Sequence, residues 1–210
     1  MKNFLVSLLN RWTGLWNRIL AKGDAGSVYC RIADMYSEPH RAYHNLRHIE
    51  QCLGEFDHAC RLAKYPNIVE TAIWFHDAVY DPRSDDNEEQ SAALSQYVLT
   101  VAGISKPFRQ KASQLILATK HDIISEETDA KIIIDIDLAI FGKADEEFDM
   151  YEAAIRDEYI WVPDDEFATG RSEIIHKFLS RESIYSTDLF REKYEKQARI
   201  NLERSLSRFR

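Results

Sequence analysis

Residues 43–50 read YHNLRHIE and residues 72–81 read AIWFHDAVYD. Three imidazoles and a carboxylate, those of His44, His48, His76 and Asp77, therefore fall on two neighbouring predicted helices. His44 and His48 are four apart, so a helix carries both on one side, one turn above the other. Asp77 lies among Trp74, Phe75, Ala78 and Val79, where an unpaired carboxylate is costly and a metal ion or an ion pair is the simplest compensation. Histidine and aspartate together suit a divalent ion of borderline hardness better than they suit an apolar core. A fourth donor has to come from elsewhere, and IIIDIDLAIF (132–141) offers a carboxylate pair in apolar company, Asp135 and Asp137.

Helical period dominates on both sides of this stretch, and no two alternating segments are joined by a hairpin signal. Residues 23–26 (GDAG) break a first helix, a second runs to about Tyr36, and the Ser37-Glu38-Pro39 turn stops it. The third is expected to begin near Tyr43 to Asn45. Pro66 suits the first turn of a fourth, Asn67 to Tyr80, whose near-continuous apolar surface belongs in the middle of the molecule. Asp86 with Glu89 three residues on reads as a capping box. Glu88 heads a stripe of small residues, Ser91, Ala92 and Ser95, which suggests close helix contact. Further helices are expected over Pro107 to about Lys120, Ala130 to Phe141, Asp145 to Trp161, Asp165 to Leu179, and from a Thr187 cap toward the end. KIIIDIDLAIF favours a strand by propensity, but a strand without a partner segment leaves its backbone unsatisfied, so a helix is expected there. The fold class is all-α: one domain over 1–210, with an amphipathic N-terminal helix (1–22), a core carrying the site (43–141) and C-terminal helices (145–210).

At 210 residues, 45% of them hydrophobic and 30% charged, the chain can bury a full core. A formal charge of −8 argues against a dedicated nucleic-acid polymer or anionic-membrane partner. Three cysteines without a CxxC fit a reducing, cytoplasmic compartment rather than a disulfide framework. The first twenty residues are interrupted by Asn10, Arg11, Asn17 and Arg18 too often for a membrane span. Leu5, Leu8, Leu9, Trp12, Leu15, Trp16 and Ile19 instead form one stripe, expected to pack onto the body of the protein. A homo-oligomer is compatible with all of this.

The order His48, His76-Asp77 and a late Asp resembles the HD superfamily of metal-dependent phosphohydrolases, and the opening Y-H-N-x-x-H resembles the corresponding motif of cyclic-nucleotide phosphodiesterases within it. The likeness is greatest to a branch of small bacterial predicted HD phosphohydrolases, through WFHDAVYD (74–81), NEEQSA (87–92) and GRSEIIHKFLSRESIY (170–185). It covers most of the chain from Tyr43 onward and implies a compact HD-domain-like helical bundle. The resemblance makes His48, His76, Asp77 and a late aspartate, Asp137 in preference to Asp135, the metal ligands, and His44 the proton donor to a leaving group.

The expected cofactor is a divalent ion, with Mn, Mg, Fe, Ni, Co and Zn all open, and the expected substrate is a small phosphorylated molecule such as a nucleotide. Coordination would acidify water from a pKa of about 16 toward roughly 7. Glu88 or Asp81 is expected to orient that water, and His121, Arg47 and Lys120 to meet the phosphoryl group, with Arg83 and Arg171 as further cations. Two other functions use the same residues: a non-catalytic metal- and nucleotide-binding sensor or interaction module, and a di-iron oxygenase.

Overall fold

Ten α-helices and one 3-10 turn make up the computed structural model, which describes residues 2–121 and 125–209, with side chains from residue 4. The chain is all-α, and no strand occurs among the described residues. The helices are α1 (Lys2–Arg18), α2 (Ala25–Met35), α3 (Leu46–Ala59), α4 (Pro66–Phe75), α5 (Asn87–Val101), α6 (Lys106–Ala118), α7 (Thr128–Asp137), α8 (Asp145–Glu158), α9 (Asp164–Leu179) and α10 (Asp188–Ser207). The 3-10 turn, Leu138–Gly142, follows α7 directly. Two compact units divide the chain, Met1–Ile133 and Ile134–Arg210, and the boundary falls inside α7. No helix among the described residues is long and apolar enough to cross a membrane.

In the first unit α4 is the central element, as its composition requires: every residue from Ile68 to Phe75 is buried. The N-terminal stripe packs onto it. Leu8, Trp12, Leu15 and Trp16 are buried, and Trp12 meets Trp74 edge to face with ring centroids 5.4 Å apart. The one charge on α4's surface, Glu70, is buried and receives both Arg11 (3.0 Å) and Arg18 (2.5 Å) from α1. Ser91, Ala92 and Ser95 are buried on α5, and their small size lets α6 come close, with Ser113 Oγ reaching the Ala92 carbonyl at 3.3 Å. The αL conformation needed between α5 and α6 falls on Gly103, at φ +75°.

In the second unit the 3-10 turn is the hub, with all five of its residues buried. α10 lies against it so closely that a Cβ on Gly142 would collide with Tyr194 Cβ. Asn201 donates from α10 to the carbonyls of Phe141 and Lys143, each at 2.8 Å. Tyr185 donates to the Leu138 carbonyl at 3.0 Å. These bonds satisfy carbonyls that a 3-10 turn leaves without a helical partner.

Three expectations need correction. α4 ends at Phe75 rather than running to Tyr80, because the peptide groups beyond it find partners outside a helix. Tyr36 Oη donates to the Trp74 carbonyl, Arg41 binds the carbonyls of Asp77 and Ala78, and Val79 N donates to Ser91 Oγ at 3.0 Å. α3 starts at Leu46, with Asn45 as N-cap accepting from Arg47 N at 2.8 Å, so His44 precedes the helix. The capping box at Asp86 does not form: its carboxylate is taken by Ser84 Oγ and by Gln90 Nε2, while Glu89 pairs with Lys120.

Candidate metal centre

Helix α3 carries His48 on its buried side together with Ile49, Cys52, Leu53 and Phe56. His76 is the C-cap of α4, and its Nδ1 lies 2.8 Å from the Ile73 carbonyl. A carbonyl can only accept, so Nδ1 carries the proton and Nε2 presents a lone pair. That Nε2 lies 3.0 Å from His48 Nε2. Asp77 Oδ2 lies 3.1 Å from His76 Nε2 and 3.5 Å from His48 Nε2. Both imidazoles are 2% exposed and the carboxylate 16%.

These distances suit a shared cation. Neighbouring donors on an ion with bonds of about 2.1 Å stand roughly 3.0 Å apart in octahedral and roughly 3.4 Å in tetrahedral geometry. Burial on its own would raise the Asp77 pKa, but the imidazoles of His76, His48 and His44 outweigh it and hold the carboxyl well below the usual range. The group is thus an anionic donor at neutral pH. The donor set could hold a metal ion: two imidazole nitrogens and a carboxylate oxygen converge in a nearly closed space.

Donor atoms of His48, Cys52 and His76 all lie within 4.8 Å of one another, a grouping able to hold a metal ion. Cys52, one turn after His48, was not singled out from the sequence, although its i+4 spacing from a candidate ligand was readable. Its Sγ is nearly equidistant from the two nitrogens of the His48 ring, 3.6 Å from Nε2 and 3.7 Å from Nδ1. A ligand sharing the ion would lie out along the Nε2 lone pair, whereas Cys52 packs beside the ring.

His44 sits in the turn before α3, its ring stacked on Tyr80 with centroids 4.2 Å apart and its centroid 6.0 Å from that of His48. Glu88, half-buried at the start of α5, has a raised pKa, first from burial and then from the nearby charge of Asp77. Asp81 is exposed, and its carboxylate accepts from Arg83 N at 2.9 Å in the loop before α5. Arg47 is exposed in the first turn of α3. Lys120 is engaged with Glu89 at 2.6 Å. His121 follows α6 at φ +56°.

In the second unit, Asp137 is the last residue of α7, four residues after the buried Ile133 and so on the same side of that helix. Asp135 has another occupation: it accepts from Ser186 N, Thr187 N and Thr187 Oγ1, each at 2.7 Å. Arg171 is buried and ion-paired with Glu152, and it donates to Tyr151 Oη at 2.9 Å. Sequence reasoning missed Arg41 altogether, a buried guanidinium bound to the backbone on both sides of the centre. Compared with family models, curated proteins and solved structures, the chain matches none.

Proposed function

We propose that this chain is a metal-dependent phosphohydrolase of the HD type, acting on a phosphoester of a small molecule such as a nucleotide. The observation that carries the reading is the 3.0 Å approach of two imidazole Nε2 atoms beside the Asp77 carboxylate. Lone pairs so placed repel unless a proton or a cation lies between them. The further donor in this reading is the late aspartate that the resemblance implies, Asp137, and Asp135, committed to the turn before α10, is not.

When bound, a divalent ion supplies Lewis acidity toward a phosphoryl oxygen and acidifies water toward a pKa of roughly 7. The chain's own groups supply the rest. Glu88, half-buried at the start of α5 with its pKa raised by burial and by the charge of Asp77, orients the attacking water. His44, held on Tyr80 at the edge of the centre, protonates the departing alkoxide. Arg47, Lys120 and His121 are the groups offered to a substrate phosphate, Lys120 on release from Glu89. The free cysteines Cys30, Cys52 and Cys60 fit a cytoplasmic setting.

The test is metal analysis of the purified protein, followed by assay against phosphomonoesters, nucleotides and cyclic nucleotides with Mn, Mg, Co, Ni, Fe and Zn. Turnover that depends on metal and disappears in Asp77→Ala is expected. Silence of the freshly loaded protein across the whole panel, with no phosphate compound bound, overturns the proposal.

A further inference from the structure

Arg41 lies two residues before the YHNLRHIE segment, and its side chain is wholly inaccessible. Nε donates to Glu38 Oε2 at 2.9 Å. Nη1 donates to the His44 carbonyl at 3.1 Å and the Asp77 carbonyl at 2.6 Å, and Nη2 to the Ala78 carbonyl at 3.0 Å. The guanidinium also lies against the rings of Tyr36 and Tyr80, 5.2 and 5.5 Å from their centroids. Three of its four acceptors are backbone carbonyls in two turns 33 residues apart, those of His44 and of Asp77-Ala78. Neither turn is held by helix periodicity, since His44 precedes α3 and Asp77 follows α4. A lysine ammonium lacks the planar spread of donors that reaches both turns at once.

We propose that Arg41 is a positioning residue: one buried guanidinium, bound to the carbonyls of His44, Asp77 and Ala78, sets the His44 ring against Tyr80 and at its working distance from the His48–His76–Asp77 centre. The role in turnover rests on the phosphohydrolase reading above, while the placement of the His44 ring is independent of it.

The experiment compares Arg41→Lys, His44→Ala and the double variant, with metal content measured in each. Arg41→Lys is expected to keep its metal and to lose about 10- to 100-fold in kcat, as a misplaced acid does, with KM little changed. In the His44→Ala background the Arg41→Lys change is expected to cost no further kcat, because its effect runs through His44. Losses that multiply in the double variant overturn the proposal. The second readout needs no turnover: stacking on Tyr80 shifts the His44 ring protons upfield in the NMR spectrum, and Arg41→Lys should abolish that shift. An unchanged His44 signal overturns the proposal even in an active enzyme. A wild type without any hydrolysis overturns the functional reading and leaves the NMR result to decide Arg41. Should Arg41→Lys not fold, Glu38→Gln loosens the Nε bond, together with the longer Glu38–His40 pair at 3.8 Å, and a few-fold loss of kcat that vanishes in the His44→Ala background supports the role, whereas full activity overturns it.

Discussion

His48 and His76 come from segments 28 residues apart, yet their Nε2 atoms face each other at 3.0 Å. The His76 tautomer is set from behind by the Ile73 carbonyl, so its Nε2 is an acceptor that either a proton on His48 Nε2 or a cation can satisfy. A buried site assembled from folded segments couples any metal it holds to folding. Chelation is expected to lower the melting temperature, and a metal at a hundred times its Kd to restore about 2.7 kcal/mol. Thermal melts with and without chelator check this, and a melting temperature indifferent to every metal tried would contradict it.

Removal of the two kinds of residue in the centre should separate binding from chemistry. Asp77→Ala deletes the anionic donor and is expected to abolish both metal and turnover. His44→Ala deletes a ring that stacks on Tyr80 rather than converging with the others, so metal content should stay while kcat falls by about a hundredfold. Metal analysis beside steady-state kinetics distinguishes the outcomes, and loss of metal from His44→Ala would show that the roles are divided wrongly.

What was legible in the sequence follows a physical line. The α1 stripe, the burial of α4 and the helical state of KIIIDID were readable because periodicity and the need to satisfy backbone groups are local properties. The grouping of His48, His76 and Asp77 was readable because those residue types are out of place in apolar company. The end of α4 was not readable. It is decided by Arg41 and Tyr36, which bind backbone from outside the helix, and nothing in the local pattern marks them, whereas the start of α3 is marked by its own N-cap, Asn45. The capping box failed for a similar reason, since Lys120, 31 residues away, takes Glu89.

The second unit contains its own acid-sensitive contact. Glu195 on α10 accepts from Ile184 N, Tyr185 N and Ser183 Oγ and pairs with Arg199. Burial raises its pKa, but these donors outweigh it and the net shift is downward. A depressed carboxyl contributes stability that is complete above its unfolded value of about 4.3 and is lost as pH falls through the lower folded value. The melting temperature is therefore expected to fall from about pH 4.5 downward, and Glu195→Gln to flatten that part of the curve. Equal slopes in the two proteins would remove Glu195 from the account.

Gly142 is required by packing and not by backbone conformation. The nearest atom to an added Cβ would be Tyr194 Cβ, which cannot swing away as the end of a side chain could. Gly142→Ala therefore has to push α10 off the 3-10 turn, and a loss of about 1–3 kcal/mol is expected from overpacking. Denaturant unfolding measures it. Gly54, where an added Cβ would meet nothing within 4 Å, is the control on a helix, and alanine there should be neutral or stabilising by up to about 1 kcal/mol.

The two aspartates of IIIDIDLAIF should respond oppositely to the same substitution. Asp135 accepts three hydrogen bonds from Ser186 and Thr187 at the entry to α10, and Asp135→Asn places an amide N–H₂ where one oxygen accepted. A stability cost of about 1–3 kcal/mol is expected, with metal content unchanged, because the loss is of hydrogen bonds to a buried group. Asp137, at the end of α7, is the further donor of the proposed function, so Asp137→Asn is expected to lower metal affinity and turnover. Metal analysis and apo melting curves of the two variants read the difference directly. If Asp135→Asn empties the centre and Asp137→Asn does not, the fourth ligand has been misassigned and α10's entry turn must rearrange when metal binds.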